Sequence, residues 1–348
     1  GYAMSLPSHF AGAGEAGWVT VLLVLAMMAV ILPRLALIPS HPGPYLMQWL
    51  LRRTAGQAPS MPVRLAFGAG LATSVFLVVL SWSRMDLPML VPVALTLLAL
   101  AYLLWADRAE GLSDLALLPT VGFLAVLIFE ALQRCSLFLL IDIQRVVGRS
   151  PEDSLPLQIT LLVGMAVAIS GAASLRALQP REDRTLDLGL GLTAVLVAPL
   201  AVAVLELLWV PARIIGAYPW ALHIIGVAAL VTVLATRFAA ADRGEMQRAA
   251  HAMLAALSLI ALALFLLTTA TALTLALGVL VVVAAALDRR FALPEMGLFI
   301  QIAVAVISWR LLVYPGVEWA LAGPILAVIL AFGGVIAALV AAWRLIGG

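Results

Sequence analysis

Three features of the sequence predict an all-α fold, namely a polytopic transmembrane helical bundle. Of the 348 residues, 64% are apolar and only 11% are charged, whereas a water-soluble domain is about 45–50% apolar and about 25% charged. Apolar runs long enough to cross a bilayer recur along the chain, and none alternates apolar with polar residues as a barrel strand does. Because a soluble core stops growing beyond about 250–300 residues, the remaining apolar surface is expected to face lipid.

About eleven spans are predicted, and the short loops between most of them favour a bundle built from helical hairpins. The spans lie near 18–39, 63–82, 88–106, 115–133, 156–177, 188–210, 220–240, 252–270, 272–288, 294–314 and 319–344. Residues 252–288 form one long apolar run, which is interpreted as two short spans divided at Thr268-Thr269-Ala270-Thr271. The alternative is a single longer helix, although about 37 residues are more than one span needs.

Residues 1–17 precede the first span and are polar and rich in small side chains. They lack the basic start of a secretory signal peptide. We interpret them as a polar N-terminal segment, with Gly1–Ala3 ahead of Met4 as a cloning remnant, or as the start of a piece excised from a longer protein. Residues 18–346 then form the transmembrane helical domain.

Charge and cysteine content exclude several classes of partner. The net charge is only +2, and nucleic-acid-binding proteins cluster many basic residues on one face, so nucleic acid is not an expected partner. The single cysteine, Cys135, excludes an intrachain disulfide and a Cys-rich metal site. The four histidines are scattered without ligand spacing. No metal or cofactor is therefore predicted.

The arginines predict the orientation of the chain in a bacterial inner membrane. All 20 basic residues are Arg, with no Lys or Asn, which suggests a GC-rich bacterial genome. Thirteen arginines fall on one side of the predicted spans and six on the other, with Arg34 unassigned. The positive-inside rule then places the N-terminus in the periplasm and the C-terminus in the cytoplasm. The 134–155 loop, with its three arginines, is the main exception.

Several local patterns are typical of helix ends and membrane boundaries. Amphipathic stretches at 44–53 and 137–147 are expected to lie in the interface. Aromatic side chains near the predicted periplasmic ends suggest a belt at headgroup level. These are Trp82, Trp209, Trp220 and Trp319. Four Asp-Arg pairs are expected at cytoplasmic turns: Asp107-Arg108, Asp183-Arg184, Asp242-Arg243 and Asp288-Arg289. They either close successive hairpins or simply reflect that Asp suits turns and Arg is favoured inside.

Glycine pairs in the apolar runs are interpreted as packing features. Gly68-Ala69-Gly70 opens no strand-turn-helix unit, so it is not a nucleotide-binding loop. Gly189 and Gly191, like Gly333-Gly334, suit close helix packing, as small residues do in membranes.

Ionisable groups within the spans form the candidate functional site, because charge is costly in hydrocarbon. Glu130, Glu206 and Arg310 lie near the ends of the fourth, sixth and tenth spans. All three spans run from cytoplasm to periplasm in the predicted topology, which puts the three groups at one depth in the outer leaflet. Arg134 and Arg213 lie close to them along the chain. These five residues are the predicted ligand-binding set, and no catalytic residue is assigned.

The candidate site has two explanations. The charged groups could line a water-filled pocket, bind an anionic headgroup or relay protons. They could equally form ion pairs that satisfy buried charge, or snorkel to the interface, since each lies within about one helical turn of the boundary.

Three function hypotheses follow, and membrane lipids are expected partners in all of them. The favoured one is a non-enzymatic protein that binds or moves a lipid-like or small anionic ligand at the outer leaflet. The second is an enzyme acting on lipid-linked substrates at the periplasmic face, which needs a carboxylate base in a pocket. The third is a scaffold subunit that packs against other membrane proteins or against a second copy of itself.

Three stretches in the C-terminal part of the chain are distinctive: Leu273-Thr274-Leu275-Ala276-Leu277, the stretch from Leu287 to Glu295 and the stretch from Trp309 to Leu321. Through these residues the chain, over about 251–346, resembles a family of predicted bacterial membrane proteins known as domain of unknown function 2339. The resemblance implies a portion of a longer protein with many spans and an N-terminal coiled-coil-like segment, although no coiled coil precedes Trp18 here. It implies no activity and assigns no site residue.

Overall fold

The computed structural model describes residues 14–35, 61–82, 89–105, 112–132, 155–179, 184–242, 247–268, 270–291, 294–313, 321 and 324–347. Every regular element in these ranges is a helix. The amphipathic stretches predicted at 44–53 and 137–147, the candidate Arg134 and the belt residue Trp319 lie outside the described residues.

The described ranges contain eleven long helices and one short helix. They are α1 (Gly14–Arg34), α2 (Met61–Trp82), α3 (Leu90–Trp105), α4 (Leu117–Leu132), α5 (Pro156–Ala177), α6 (Arg184–Trp209), α7 (Pro211–Ile214), α8 (Ala217–Ala241), α9 (Gln247–Leu267), α10 (Ala270–Phe291), α11 (Pro294–Leu312) and α12 (Ile325–Gly347). Each long helix overlaps one predicted span. The all-α class is therefore confirmed.

Seven helices in the described ranges are long and apolar enough to cross a membrane: α2, α5, α6, α8, α9, α10 and α12. The apolar parts of α1, α3, α4 and α11 are shorter. The chain thus has the character of a multi-pass membrane protein, while the count of eleven spans stays a prediction.

The long apolar run after residue 252 divides where the sequence predicts. Helix α9 ends at Leu267 and α10 begins at Ala270. The backbone N–H and the hydroxyl of Thr268 both donate to the carbonyl oxygen of Leu264, at 3.0 and 2.6 Å. Because the carbonyls of a last helical turn lack intrahelical partners, these bonds stabilise the end of α9. The alternative of one longer helix is wrong.

The chain divides into two compact units, Gly1–Ile214 and Ile215–Gly348. In unit 1, helices α1, α2 and α3 meet at Tyr102, whose side chain is fully buried. Its hydroxyl donates to the carbonyl oxygen of Ala26 at 3.3 Å. A Cβ added at Gly70 would lie 2.8 Å from the same hydroxyl oxygen. Glycine therefore lets α2 approach this tyrosine, as small residues do at membrane helix contacts.

Helices α3, α4, α5 and α6 form a ring in unit 1, because α3 and α6 each pack against both α4 and α5. Helices α4 and α5 therefore take opposite corners. The contact of α5 with α6 includes a hydrogen bond from the backbone N–H of Ala198 to Ser170 Oγ, 3.1 Å long. This bond lies beside Pro199, within α6, where the proline ring disturbs the backbone hydrogen bonds of the preceding turn.

Unit 2 contains α8–α12, and α10 packs closely against both α11 and α12. A Cβ at Gly278 on α10 would lie 3.2 Å from Ala338 Cβ, and one at Gly334 on α12 would lie 2.3 Å from Leu275 Cδ2. Because residue numbers rise together in these two contacts, α10 and α12 run parallel. The close-packing interpretation fits Gly334, while a Cβ at Gly333 or at Gly189 would meet nothing within 4 Å.

The hairpin of α8 and α9 is closed by an ion pair between Asp242 and Arg248. Arg248 Nε donates to Asp242 Oδ2 at 3.1 Å, Nη2 bonds the other oxygen, and the guanidinium lies 4.9 Å from the ring centre of buried Phe238. The sequence pairs Asp242 with Arg243, but the arginine that binds its carboxylate is Arg248.

The remaining Asp-Arg pairs give a mixed outcome. Asp107, Arg108, Asp183 and Arg243 lie outside the described residues, and Arg184 begins α6. Asp288 and Arg289 do not form a turn, because α10 continues to Phe291 with Arg289 and Arg290 in its last turn. Basic side chains there interact favourably with the negative end of the helix dipole.

Candidate functional site

The candidate site is built at the C-terminal ends of α4 and α6. Trp209 Nε1 donates a hydrogen bond of 2.9 Å to the carbonyl oxygen of Leu127. The indole is fully buried. Because each residue lies in the last two turns of its helix, the bond holds the two C-terminal ends level. Helices α4 and α6 therefore run parallel.

Two of the predicted site residues lie beside this hydrogen bond. Glu130 follows Leu127 on α4, and its side chain is buried at 8% exposure. Glu206 precedes Trp209 on α6 and is half-buried. At about 1.5 Å of rise per residue, Glu130 lies roughly 4.5 Å from Leu127 towards the C-terminal end of α4, and Glu206 lies roughly 4.5 Å from Trp209 towards the N-terminal end of α6. The two glutamates therefore lie near the same end of unit 1 but about 9 Å apart in height, so they do not share one depth as the sequence predicted.

Arg213 lies immediately beyond these carboxylates. Helix α6 stops at Trp209, and Val210 takes a φ of 48° before Pro211 starts α7. This φ is rare for a β-branched residue, and it turns the chain into the short helix that carries Arg213. The Arg213 side chain is exposed, and its backbone N–H donates to the carbonyl of Val210 at 3.0 Å. The turn presents a cation at the same end of unit 1 as the two glutamates.

Arg310 belongs to unit 2, near the C-terminal end of α11. Its side chain is half-buried, and the guanidinium carbon lies 5.8 Å from the ring centre of Phe265 on α9. A cation over an aromatic face is stabilised by the ring quadrupole. Of the five predicted residues, the structure thus brings Glu130, Glu206 and Arg213 to one end of unit 1. It places Arg310 in unit 2, and Arg134 is outside the described residues.

The opposite end of the ring holds a buried polar cluster that the sequence did not single out. Arg176 Nη2 donates to Ser113 Oγ at 3.0 Å, and both side chains are buried, as is the neighbouring Asp114. In the sequence, Arg176 is one of the thirteen arginines predicted on the cytoplasmic side. Its bond to Ser113, four residues before α4 begins, places the C-terminal end of α5 beside the N-terminal end of α4. These two helices therefore run antiparallel.

The prediction of an aromatic belt is wrong for two of its four members. Trp209 and Trp220 are fully buried, so both indoles pack inside the protein instead of facing headgroups. The reason for Trp209 is its hydrogen bond to Leu127, because a buried indole N–H needs an acceptor. The side chain of Trp82, like Trp319, is not among those described.

Each histidine in the described ranges places Nδ1 within hydrogen-bonding distance of a backbone carbonyl oxygen of its own helix. His223 Nδ1 lies 2.7 Å from the carbonyl oxygen of Pro219, and His251 Nδ1 lies 2.6 Å from that of Gln247. Trp220 also lies beside His223, with ring centres 6.1 Å apart. The described residues include no group of three or more His, Cys, Asp or Glu side chains placed to hold a metal ion.

The arrangement combines two carboxylates below an exposed guanidinium at the rim of a helical ring. Carboxylates accept hydrogen bonds from cations, and arginine binds phosphate and carboxylate groups with two parallel hydrogen bonds. Such a site can hold a small charged group or a headgroup at a membrane boundary.

Comparisons of the chain with protein-family models, with curated proteins and with solved structures found no match to any of them.

Proposed function

We propose that this chain is a bacterial inner-membrane protein that binds or moves a lipid-like or small anionic ligand at the outer leaflet. The binding site is the end of unit 1 that carries Glu130, Glu206 and Arg213. The sequence also predicted Arg134 and Arg310 as ligand-binding residues; Arg134 lies outside the described residues and Arg310 belongs to unit 2, so neither is assigned to this end of unit 1. The N-terminus would lie in the periplasm and the C-terminus in the cytoplasm.

The hydrogen bond between Trp209 and Leu127 carries the proposal. It supports a common end of unit 1 for Glu130 and Glu206, whose helices are separated by α5 along the chain. Glu130 is buried and Glu206 is half-buried. Two carboxylates near the same end of two parallel helices favour a binding function over two independent snorkelling side chains.

The exposed Arg213 supports a ligand that arrives from the membrane boundary. Its position just beyond the end of α6 is where headgroups lie if α6 crosses the bilayer. Arginine is the preferred residue for planar, bidentate recognition of phosphate. The apolar helices around the site offer a surface for acyl chains, which favours a lipid over a water-soluble anion.

The test compares two arginine substitutions in detergent-purified, delipidated protein, with dioctanoyl-phosphatidylglycerol and dioctanoyl-phosphatidylethanolamine as probes. Arg213→Gln should weaken binding about ten- to one-hundred-fold, since a hydrogen bond to a charged group contributes about 1.5–3 kcal/mol. Arg237→Gln is the matched control, because Arg237 is equally exposed but lies on α8 near the predicted cytoplasmic side. Unchanged affinity in Arg213→Gln, or an equal loss in the control, would reject the proposal.

The proposed orientation has its own test in intact bacterial cells. In a Cys135→Ser background, Arg213→Cys should react with a membrane-impermeant maleimide, whereas Arg237→Cys should react only after the cells are broken. Labelling of Arg237→Cys in intact cells and of Arg213→Cys only in broken cells would place the site at the cytoplasmic leaflet and contradict the proposed orientation.

The family resemblance remains a proposal and adds no residue to this site. The rival enzyme hypothesis predicts that lipid-linked probes are chemically altered after incubation with the protein, which mass spectrometry of the recovered probe detects.

A further inference from the structure

We propose that Gln158 is a further ligand-binding residue of this site, and that the ligand is a phosphate ester carrying an ammonium group. This inference rests on the proposed function and identifies the chemistry of its ligand. Gln158 is in the first turn of α5.

The side chain of Gln158 is buried, at 5% exposure, and its Nε2 has no hydrogen-bond partner within the described part of the chain. Leaving a buried donor unsatisfied costs about 1–3 kcal/mol. Most buried polar groups are hydrogen-bonded, so such a donor calls for an explanation. A ligand oxygen that occupies the site part of the time provides one.

The contact between α5 and α6 places Gln158 at the level of Trp209. The bond from Ala198 N–H to Ser170 Oγ pairs these two positions. Because the two helices run antiparallel, moving from Ser170 back to Gln158 corresponds to moving from Ala198 forward to Trp209. Both steps are roughly 17 Å along the helix axis.

The hydrogen bond from Arg176 to Ser113, which lies four residues before α4, gives a similar level independently. Gln158 lies about five helical turns from Arg176. Glu130 lies about three and a half turns into α4, beyond the turn that contains Ser113. Gln158 and Glu130 therefore lie at similar heights in the ring.

The helical period also places Gln158 on the side of α5 that faces α4. About five complete turns separate Gln158 from Arg176, so both residues lie on one stripe of the helix. Arg176 reaches the segment that begins α4. The unsatisfied amide is thus on the face directed across the ring, towards the helix that carries Glu130.

The chemistry of these groups selects the ligand. The Gln158 amide N–H and Arg213 donate hydrogen bonds, which suits phosphate oxygens. Glu130 and Glu206 accept hydrogen bonds, and two carboxylates near one site repel a ligand that carries only negative charge. A phosphate with a nearby ammonium satisfies both halves of the site, as in a phosphoethanolamine headgroup.

The test measures binding and thermal stability of Gln158→Met in delipidated protein. Methionine preserves the length of the side chain but removes the donor. The affinity for dioctanoyl-phosphatidylethanolamine should fall about five- to ten-fold, while the Tm of the ligand-free protein stays equal or rises.

A lower Tm would overturn the inference, because it would show that the amide is satisfied within the protein. An unchanged affinity would overturn it as well. Gln158→Glu, which also removes the donor, keeps the binding test available if the methionine variant does not fold.

Ser74→Ala is the matched control. Ser74 Oγ is also buried without a hydrogen-bond partner in the described residues, but it lies on α2, outside the ring. Its removal should leave the affinity unchanged, and an equal loss there would overturn a specific role for Gln158.

Three further arms separate the possible outcomes. Wild-type protein should bind dioctanoyl-phosphatidylethanolamine more tightly than dioctanoyl-phosphatidylglycerol. Equal affinities would reject the inference that the ligand carries an ammonium group. Binding of free phosphoethanolamine would show that the headgroup is sufficient, whereas binding of the lipid alone would identify a lipid ligand. If Arg213→Gln weakens binding and Gln158→Met does not, this inference fails and the proposed function stands; if neither does, both fail.

Discussion

Trp209 and Leu127 join two helices that are not neighbours in sequence, through a 2.9 Å hydrogen bond from the indole N–H to a backbone carbonyl. Helix α5 lies between them along the chain. The bond fixes the relative height of α4 and α6, and with it the relative height of Glu130 and Glu206. The candidate site therefore depends on a residue that carries no charge.

Trp209→Phe should lower the free energy of unfolding by about 1–2 kcal/mol, because the hydrogen bond is lost and the smaller ring fills less of the buried space. Chemical denaturation in detergent measures the change. Trp343→Phe is the control, since that indole is 72% exposed on α12. Equal stabilities of the two variants would show that the Trp209 bond does not hold the helices together.

Gly70→Ala should destabilise unit 1 by about 1–3 kcal/mol, the usual cost of overpacking a filled contact. The added Cβ would lie 2.8 Å from the Tyr102 hydroxyl oxygen. Gly68→Ala should have little effect on packing, because a Cβ at Gly68 meets nothing within 4 Å. Thermal unfolding of the two variants shows whether the loss comes from the clash at Gly70 or from replacing any glycine of α2.

The second substitution Tyr102→Phe should rescue Gly70→Ala in part, because it removes the oxygen atom that the new Cβ meets. The next ring atom, Cζ, is 3.5 Å away, which is an ordinary van der Waals distance. If the stability losses of the two single variants simply add in the double variant, the destabilisation by Gly70→Ala does not come from contact with the Tyr102 hydroxyl.

The positions of the helices could be predicted from sequence because lipid imposes a local rule. A run of apolar residues must form a helix to satisfy its own backbone, and no distant contact is needed to recognise it. Even the division after α9 was predictable, since Thr268 marks it with a side chain that bonds its own preceding turn.

The partners of individual side chains could not be predicted in the same way. Nothing near Trp209 in the sequence indicates that its indole turns inward to Leu127, and position at a helix end suggested a belt instead. The partner of Arg176 was equally unpredictable, because Ser113 lies before α4, on the far side of that helix in the sequence.

Gln158 shows a third limit of sequence reasoning. An uncharged amide in the first turn of a span resembles any polar residue at a boundary. Only its burial and its unsatisfied Nε2 distinguish it. Those properties depend on how α5 packs in the ring.

Val210→Gly should raise the free energy of unfolding by up to about 1 kcal/mol. A residue with a side chain pays about 1–2 kcal/mol to adopt the left-handed region, whereas glycine loses only some additional chain entropy on folding. Val204→Gly, within α6, is the comparison and should lower stability by about 1 kcal/mol or more. A loss of stability at both positions would argue against strain at the turn before α7.

Arg248→Lys should lower the free energy of unfolding by about 1–2 kcal/mol, although it keeps the positive charge. Lysine cannot reproduce the two hydrogen bonds to Asp242, and its ammonium does not stack on the Phe238 ring as the planar guanidinium does. Arg237→Lys, at an exposed position of α8, should change stability by less than about 0.5 kcal/mol.

Asp242→Asn should also destabilise the hairpin. The double variant Asp242→Asn/Arg248→Lys should lose less stability than the sum of the two single losses, since both substitutions remove the same interaction. Additive losses in this cycle would mean that the pair does not close the α8–α9 hairpin.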